Sequence, residues 1–425
     1  MTLIILLAVL LVLLALRVPV FLALLAISLI YILNEPTGLN VIVQRMTSGL
    51  ESFPLLAIPM FILAGSIMAG GGIAERLMGF AATLVGHFRG GLAQVNVLNS
   101  LFIGGMSGSA QADAAIDSKV LVPIMRKHGY SNAYASALTV VSSTISPILP
   151  PSIGLILYGV LADVSIGKLF LGGVVPALLI AVALTIAVRV LASVLNHPRA
   201  RDRRARLGEM AASFWQALPA ILMPVLLLVG LRMGVFTPTE LSAIFVICAL
   251  IVSMFIFKQI TWRDLPKIIV DAALTSGMLM VILAAAAVFS IIVAYERLPQ
   301  QLSGLLESIS ENPLILLLII NLLLLLLGAV VDAMSLMIIM TPVLAPIAVG
   351  MGVDPVHFGI IIVLNVTIGS ITPPLGSTLY TVTAITGVRM GELVKAFLPF
   401  YLTMVGLLML ITYVPAFSTW LPGGM

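Results

Sequence analysis

Long apolar runs separated by short polar turns dominate this chain of 425 residues and constrain its fold more than any other feature. Charged residues make up only 9% of the chain, against roughly a quarter in soluble domains. So few charges cannot cover a water-facing surface. The sequence therefore predicts an all-α polytopic membrane protein, and it excludes a soluble enzyme, a disordered chain and a DNA-binding domain. The predicted membrane-spanning segments are 2–16, 18–33, 53–70, 131–161, 168–196, 215–233, 238–257, 276–294, 356–386 and 396–417.

Two further apolar stretches, 92–125 and 313–347, do not look like simple spans. Each is interrupted near its middle by small and polar residues, at 104–109 in the first and at 328–333 in the second. Non-helical backbone is tolerated at membrane depth only where protein or water covers it. We therefore expect two re-entrant helical hairpins whose tips stop near the middle of the membrane.

The distribution of basic residues supports this topology. With the N-terminus outside, sixteen of the 21 Lys and Arg residues fall on the inner side, four fall outside, and Lys119 lies within the first hairpin. The inner residues include Arg17 and a dense cluster in 199–206, which we interpret as a cytoplasmic loop rather than a nucleic-acid or lipid-specific site. If either hairpin were a full span, every later loop would change sides and the bias would disappear.

Amphipathic segments precede both hairpins. Segment 73–91 carries Glu75 among its charged residues, and segment 295–312 carries Glu307 and Glu311. Such segments are typical of helices that lie along a membrane surface. We expect one such arm helix on the inner side and one on the outer side.

The two halves of the chain resemble each other at a constant offset of 223 residues. The windows 120–176 and 343–399 share twelve identities in 57 positions, and four of the five prolines in each window coincide. The prolines are the stronger evidence, because proline breaks helices at defined places. Since one hairpin enters from each side, the repeats are inverted, as in many secondary transporters, and a binding site is expected at their interface.

These features divide the chain into six predicted regions. They are N-terminal scaffold helices in 1–72, an inner arm helix in 73–91, first-repeat transport elements in 92–196, a cytoplasmic linker with further scaffold helices in 197–294, an outer arm helix in 295–312 and second-repeat transport elements in 313–425.

Each repeat also contains a helix that is interrupted after its middle, at 142–152 and at 365–376. Both interruptions contain a Pro-Pro pair surrounded by Ser, Thr or Asn. Proline frees carbonyls on the preceding turn, and carbonyl and hydroxyl oxygens together form a shell suited to Na⁺. Half-helix N-termini favour an anionic substrate group. The alternative is that these are simple kinks whose hydroxyls bond back to their own helices.

Three acids lie within the predicted hairpins. Asp332, at the second tip, could bind Na⁺ or carry a proton, or it could be a satisfied acid that caps a hairpin helix. Asp113 and Asp117 are four residues apart on one face of the first hairpin. They could have a cation or coupling role, although we favour pairing with Lys119 or local capping.

The sequence offers no support for an enzyme. The four histidines are scattered near predicted membrane edges, and no metalloprotease, nucleophile-elbow or nucleotide-binding motif is present. Uphill transport by this chain would therefore have to be driven by an ion gradient or by another subunit.

Several motifs occur in the order found in one transporter family. They include Gly65 after Ile58-Pro59-Met60-Phe61, the run 105–113, Pro123-Ile124-Met125, the segment 149–153 and the segment 368–376. Together they resemble the large, DctM-like membrane subunit of TRAP (tripartite ATP-independent periplasmic) transporters, a branch of the wider ion transporter superfamily. The resemblance covers nearly the whole chain.

The resemblance implies a Na⁺-driven importer of an organic acid, such as sialic acid or a C4-dicarboxylate, in the bacterial inner membrane. It implies an elevator mechanism, in which a transport domain made of the hairpins and broken helices slides against a scaffold. It also implies two partners, a small four-helix membrane subunit, expected here as a separate polypeptide, and a periplasmic substrate-binding protein.

The resemblance also suggests site residues. A first Na⁺ site would use Ser107, Gly108, Ser109, Thr144 and Ser146. A second Na⁺ site would use Gly328, Asp332, Thr367, Gly369 and Thr372. Polar and glycine positions in the breaks are the candidates for substrate contact, namely Ser152, Asn365, Ser370 and Gly376. Two other functions stay open at this point, a stand-alone Na⁺/carboxylate symporter that needs no binding protein, and a non-coupled channel or structural membrane subunit.

Overall fold

The computed structural model describes residues 8–10, 12–14, 16, 18–34, 39–195, 197–201, 203–310 and 312–424. Within them the chain is helical, and its one β-type contact is an isolated bridge between Arg89 and Arg199. About half of the predicted span 2–16 lies outside these residues, and Arg17 and Glu311 lie outside them as well.

The helices of the described chain share high apolar content and are connected mostly by short turns. In order, they are α1 (Val20–Leu33), α2 (Asn40–Leu50), α3 (Ala57–Gly70), α4 (Ile73–Val85), α5 (Gly91–Ser107), α6 (Ala110–Lys127), α7 (Asn132–Ser142), α8 (Ile153–Leu161), α9 (Ile166–Val194), α10 (Leu207–Arg232), α11 (Pro238–Leu250), α12 (Leu265–Tyr295), α13 (Leu298–Ile309), α14 (Pro313–Gly328), α15 (Ala333–Gly350), α16 (Pro355–Ser370), α17 (Ser377–Thr386) and α18 (Met390–Tyr413), followed by a single turn, Ala416–Thr419.

Seven helical segments of the described chain are long and apolar enough to cross a membrane. They are Phe53–Gly70, Ile166–Val194, Leu207–Arg232, Pro238–Ile256, Leu265–Tyr295, Ala333–Gly350 and Met390–Tyr413. The prediction of an all-α polytopic membrane protein is confirmed. Some boundaries differ, because α10 and α12 begin eight and eleven residues before the predicted spans 215–233 and 276–294. Their first turns carry polar residues, so an apolar run alone does not find them.

Both predicted hairpins and both predicted broken helices are present. Hairpin 1 consists of α5 and α6 with its tip at 107–109, and hairpin 2 consists of α14 and α15 with its tip at 328–332. Break 1 (146–152) separates the helical segments before it from α8, and break 2 (371–376) separates α16 from α17. The Pro150-Pro151 and Pro373-Pro374 peptide bonds in these breaks are cis.

The helices that precede the hairpins are shorter than predicted. The first arm helix, predicted at 73–91, is α4 and ends at Val85, and the second, predicted at 295–312, is α13 and spans Leu298–Ile309. A further amphipathic helix, α2, was not predicted. None of its residues is buried, and one side of it packs on α12.

The two repeats interlock through their second halves. The second arm of hairpin 1, α6, packs against α17 of the other repeat, and the second arm of hairpin 2, α15, packs against α8. The N-terminal helices form a separate group, in which α1, α2 and α3 pack on α12 and α3 packs on α11. The inverted repeats therefore bring the two tips and the two breaks to one place.

Each hairpin also presses its first arm against its own broken helix through a glycine. A Cβ on Gly104 would lie 3.0 Å from the Cα of Ser146, and a Cβ on Gly328 would lie 2.7 Å from the Cα of Gly369. Ser146 and Gly369 are separated by the repeat offset of 223 residues. The two halves thus use the same close approach of backbones.

A pair of buried amide and hydroxyl contacts follows the same repeat. Ser142 donates to Asn96 Oδ1 at 2.7 Å, and Asn365, at the offset position, donates to Asn321 Oδ1 at 2.5 Å. Each bond joins the first arm of a hairpin to the broken helix of the same repeat. Since buried polar groups need partners, these bonds fix the position of the arm.

The linker after α9 lies against the turn between α4 and α5. The N–H groups of Ala200 and Arg201 both donate to Gly86 O at 3.0 Å. The ring of His197 packs on Tyr134 and Tyr130, with centroid distances of 4.3 and 4.6 Å. Burial lowers the pKa of His197, so the neutral imidazole is the form that fits this stack.

Candidate functional site

The tip of hairpin 1 is seated on break 1. Gly108 has a φ of +58°, a backbone conformation that favours glycine. A Cβ at this position would also lie 3.1 Å from Ser152 Cα and from Ile153 N, so the contact leaves no room for a side chain. The tip therefore reaches the start of α8 with its backbone.

The tip of hairpin 2 is seated on break 2 in a similar way. Leu375 N–H donates to Ala329 O at 3.2 Å, which joins the break to the tip directly. Gly376 is as crowded as Gly108, because a Cβ there would lie 2.7 Å from Ser370 O and 2.9 Å from Thr372 O.

The two tips carry capping residues at positions that differ by the repeat offset. Ser109 caps α6 by accepting from Ala112 N–H at 3.4 Å, and Asp332 caps α15 by accepting from Ser335 N–H at 3.1 Å. The capping interpretation of Asp332 is confirmed for Oδ1. Among the described residues, no hydrogen bond reaches Oδ2 of Asp332, which leaves this oxygen available to a cation or a proton.

A cavity of about 60 Å³ lies where the two tips and the broken helices meet. Its lining combines residues of hairpin 1, break 1, α8, hairpin 2, α16 and α17. They are Ser109, Ala110, Gln111, Pro147, Gly154, Asp332, Ala333, Met334, Met337, Val363, Val366, Thr367, Ser370 and Thr378.

Four helix N-termini converge on this cavity. The residues that line it include members of the first turns of α6, α8, α15 and α17. Each helix N-terminus carries a partial positive charge and unpaired N–H groups. Among the described residues that line the cavity there is no Lys, Arg or His, and Asp332 is its one charged side chain. The electrostatic field of the cavity therefore comes from backbone dipoles and one carboxylate.

Four of the predicted site residues line this cavity: Ser109, Asp332, Thr367 and Ser370. The hydroxyls of Thr367 and Ser370 donate to Val363 O and Thr367 O, both at 2.7 Å. Back-bonding to the same helix is therefore present, as the alternative interpretation expected. Back-bonding uses only the hydroxyl proton, so each oxygen keeps lone pairs that can accept. The Ser370 hydroxyl also lies 3.3 Å from that of Thr378, which leaves Thr367 the less occupied of the two oxygens.

Other predicted residues lie where each hairpin tip contacts its broken helix rather than in the cavity wall. Ser107 lies at the end of α5, where Ser109 N–H approaches its Oγ at 3.5 Å. Gly108, Gly328, Gly369 and Gly376 make the close backbone contacts already described. Ser146 donates to Asp113 Oδ2 at 2.7 Å, and Ser152 caps α8 and donates to Pro147 O.

Three predicted residues face away from the cavity. Thr144 donates to Val141 O at 2.6 Å and lies 3.8 Å from the sulfur of Met404. Thr372 donates to Ile368 O at 2.7 Å and contacts the hydroxyl of Tyr401 at 3.1 Å. Met404 and Tyr401 belong to α18. Asn365 is directed towards Asn321 on the first arm of hairpin 2.

The structure also identifies cavity residues that the sequence analysis missed. Gln111 and Met334 are separated by the repeat offset, and both line the cavity two residues after the capping residue of their arm. Thr378 lies in the first turn of α17. Applying the offset of 223 residues to the segment between the first tip and residue 120 would have identified Gln111 and Met334 as a pair.

The expected pairing of the hairpin 1 acids with Lys119 is wrong. Asp113 and Asp117 are fully buried, whereas Lys119 is exposed. Within the described residues, the ion pairs are those of Arg201 and Arg203 with Glu209 and of Arg389 with Glu392. A buried carboxylate cannot reach an exposed amine on the opposite face of its own helix, which is why sequence proximity misled the prediction.

The fold matches a known structure. The chain resembles the crystal structure of the YdaH transporter of Alcanivorax borkumensis, described as having an unusual topology, with a TM-score of 0.65 over 92% of this chain and 91% of that one, at 17% identity.

Sequence comparison gives closer matches. Residues 7–417 match the family model described as the tripartite ATP-independent periplasmic transporter, DctM component. The sialic acid TRAP transporter large permease protein SiaM of Vibrio cholerae is 38% identical over 95% of this chain and 94% of its own length. The C4-dicarboxylate TRAP transporter large permease protein DctM of Pseudomonas aeruginosa is 34% identical over 93% and 92%.

Proposed function

The chain belongs to the DctM component family of TRAP transporters and is a large permease rather than an enzyme. We propose that it imports an organic acid and that an inward Na⁺ gradient drives this uptake. The acid is a carboxylate, such as sialic acid or a C4-dicarboxylate, the substrates in the names of two relatives. A periplasmic binding protein delivers it, and a small four-helix membrane subunit completes the complex in the bacterial inner membrane.

The convergence of four helix N-termini on one cavity that lacks basic side chains carries this proposal. Helix N-termini bind carboxylates through backbone N–H groups and the helix dipole. Na⁺ bound beside the carboxylate supplies the remaining positive charge. Thus the same cavity accounts for both an anionic substrate and its dependence on a cation.

The oxygens around the cavity suit Na⁺. Hard cations take carboxylate, carbonyl and hydroxyl oxygens, and Ser109, Asp332, Thr367 and Ser370 offer such atoms directly. The other candidate ligands of the two Na⁺ ions come from each tip and its broken helix. They are Ser107, Gly108, Thr144 and Ser146 in the first repeat, and Gly328, Gly369 and Thr372 in the second. Ser152, Asn365 and Gly376, with Ser370, remain candidates for positioning the substrate.

The size of the cavity argues for movement during transport. Sites for small molecules usually have volumes of about 300–1,000 Å³, whereas this cavity measures about 60 Å³. It has room for ions or a few waters, and a sugar acid enters only if the two tips separate. We propose that the hairpins and broken helices then move together as an elevator past the scaffold of α1–α3 and α10–α12.

Uptake by proteoliposomes tests this function. The chain is reconstituted with the small subunit encoded beside it, the neighbouring binding protein is added with a candidate acid, and an inward Na⁺ gradient is imposed. We expect uptake that requires both the binding protein and Na⁺. Uptake of free acid by the chain alone would make it a stand-alone symporter, and flux without Na⁺ would make it a non-coupled channel.

A further inference from the structure

Hairpin 1 buries a carboxylate that the proposed transport cycle does not use. Asp117 is fully buried between α5 and α6. Its Oδ1 accepts from Asn99 Nδ2 at 2.6 Å, and its Oδ2 lies 3.3 Å from the hydroxyl of Ser100. Asp113, one helical turn away on α6, is also fully buried and accepts from Ser146.

No positive charge faces this carboxylate from the elements packed on α6. The elements with the main contacts are α5, α7, the segment Ser143–Ile145 and α17, and their sequences contain no Lys, Arg, His, Asp or Glu. Their titratable groups are two phenols. Tyr134 stacks on His197 and Tyr130, and Tyr380 donates to Pro374 O at 3.2 Å. Leu121 of α6 also shares an apolar cluster with α4, but Glu75 of α4 is exposed and Arg76 lies over the ring of Phe257 at 3.9 Å.

The charged groups on α6 itself do not compensate Asp117 either. Lys119 is exposed, and Arg126 and Lys127 lie in the last turn of the helix. Asp113 adds a second negative group instead of a counter-charge. An ionised carboxylate that is buried without a counter-charge is expensive, whereas the neutral acid needs only hydrogen-bond partners.

One buried oxygen beside Asp117 lacks a donor. Asn99 is 1% exposed, and among the described residues nothing donates to its Oδ1. The amide of Asn99 already contacts Asp117, and exchanging its oxygen and nitrogen by a half-turn directs Oδ1 at the carboxyl group. An ionised Asp117 cannot donate to this oxygen, but a protonated Asp117 can.

Hairpin 2 shows that the fold itself does not need these acids. At the repeat offset, Leu336 and Met340 occupy the positions of Asp113 and Asp117. The leucines 322–325 occupy the turn that corresponds to Asn99 and Ser100. The two hairpins therefore share their architecture, and the polar cluster is an addition to one of them.

We propose that hairpin 1 contains a proton-binding site, in which Asp117 is held as the neutral acid by Asn99 and Ser100. The bound proton allows the hairpin to stay closed within the membrane. Loss of the proton places an uncompensated charge between α5 and α6 and separates them. As a functional consequence, which rests on the proposed transport activity, uptake requires a neutral side chain at position 117, so uptake by the wild type falls at alkaline pH.

Infrared spectroscopy of the purified full chain tests the site without any transport assay. A protonated carboxyl group has a carbonyl band that an ionised carboxylate lacks. We expect this band at neutral pH, with and without Na⁺, and its loss during alkaline titration of the wild type. Asp117→Asn should remove or reduce the band, and Asp354→Asn, at an exposed helix cap, should leave it unchanged.

The proposal is overturned if the wild type has no such band at neutral pH, or if Asp117→Asn leaves the band unchanged. It is also overturned if added Na⁺ abolishes the band, because a metal ion would then occupy the site. Asp113→Asn decides which buried acid carries the band, also where Asp117→Asn folds poorly, since Asp113 is equally buried. A band that persists in Asp113→Asn supports Asp117, and a band that disappears there overturns the proposal.

Uptake measurements then test the functional consequence. Asn is an uncharged isostere of the neutral acid, so we expect Asp117→Asn to transport within about twofold of wild type at neutral pH and to lose the alkaline decline. An equal decline in both proteins, or an Asp117→Asn variant that folds but is inactive at every pH, would contradict this role. If neither protein transports at any pH, the proposed transport function fails, while the infrared result stands separately.

Discussion

At the scale of single residues, Asp332 combines two roles that the sequence presented as alternatives. One oxygen caps α15 at 3.1 Å from Ser335 N, the residue lines the cavity, and no hydrogen bond among the described residues reaches the other oxygen. An ionised carboxylate has about four lone-pair sites. Capping therefore uses part of its capacity, and a cation can use the rest.

Replacing Asp332 with Asn should separate these roles, because Asn also caps helices but carries no charge. We expect the Na⁺ concentration needed for half-maximal uptake to rise by about tenfold, which corresponds to ~1.4 kcal/mol. Asp354→Asn is the matched control, since Asp354 caps α16 on the exposed surface by accepting from Val356 N at 2.8 Å and His357 N at 3.0 Å. Equal Na⁺ dependence in Asp332→Asn and wild type would exclude Asp332 as a cation ligand.

Thr372 and Thr381 provide a second matched pair. Both hydroxyls bond back to their own helix, to Ile368 O and Ser377 O, but only Thr372 lies in a break and contacts Tyr401. We expect Thr372→Val to reduce Na⁺-driven uptake several times more than Thr381→Val, because it removes a hydroxyl oxygen from the break and the partner of Tyr401. A typical hydrogen bond contributes about 0.5–1.5 kcal/mol. The comparison is made on initial uptake rates at equal protein density, and similar reductions would contradict a special role for Thr372.

At the scale of elements, the contact between each hairpin and its own broken helix depends on glycine. Gly328 and Gly369 meet backbone to backbone, and a Cβ on either one would approach the other Cα at 2.7 Å. We expect Gly369→Ala to destabilise the protein by about 1–3 kcal/mol and to lower its thermal unfolding midpoint in a scanning fluorimeter. Gly406→Ala, in α18, is the control because nothing lies within 4 Å of its added Cβ. Equal midpoints for the two variants would show that the tip can shift at no cost.

The linker after α9 should respond to pH through His197. Burial lowers the pKa of this ring, so the docked linker is stabilised at pH values above the unfolded pKa of about 6.5. That stabilisation is lost as the pH falls from there through the lower folded pKa, since protonation favours the undocked ring.

Amide hydrogen exchange of residues 197–201 measures this effect. Because the intrinsic exchange of an unprotected amide slows as the pH falls, the observed rates are expressed as protection factors, and we expect lower protection in mildly acidic than in neutral buffer. His197→Phe keeps an aromatic ring in the stack and should remove the difference, whereas His128→Gln, at an exposed position, should preserve it. A difference that persists in His197→Phe would assign the response to another group.

The sequence predicted the elements that break a regular pattern better than those that follow one. Both hairpins and both breaks were found because glycine, serine and paired prolines interrupt apolar runs. The amphipathic helix α2 was missed because it is short and polar. The sequence also could not predict the direction in which each hydroxyl points. Thr367 lines the cavity, whereas Thr372, five residues later, points to α18. That difference depends on the rotation of a packed helix, which tertiary contacts decide.

At the scale of the whole molecule, the proposed sliding motion needs an interface without fixed polar links. Within the described residues, no ion pair joins the scaffold helices to the hairpins. A wholly apolar crevice of about 220 Å³ also separates parts of α4, α5, α9 and α10. These features favour movement of one group past the other.

Disulfide locks test this movement, because Cys248 is the single native cysteine and can be replaced by Ser. A Cβ on Gly65 of the scaffold would lie 3.7 Å from Ser107 Cα of hairpin 1, within range of a disulfide. We expect Gly65→Cys with Ser107→Cys to stop uptake when oxidised and to recover on reduction. Gly65→Cys alone, treated with the same oxidant, cannot form this bond and should show no such effect. Uptake through an oxidised Gly65–Ser107 pair would exclude sliding at this contact.

The interlocking of the repeats has a bearing on how such a chain could arise. The second arm of each hairpin packs on the broken helix of the other repeat. Each half of this chain therefore needs the other half to cover that arm, as one subunit of a dimer needs its partner. Two copies of a half-length ancestor, inserted in opposite orientations, would satisfy those contacts as an antiparallel dimer. Gene duplication and fusion would then fix the ratio and orientation of the copies. Once joined, the copies could diverge, and one hairpin now carries acids where the other carries leucine and methionine.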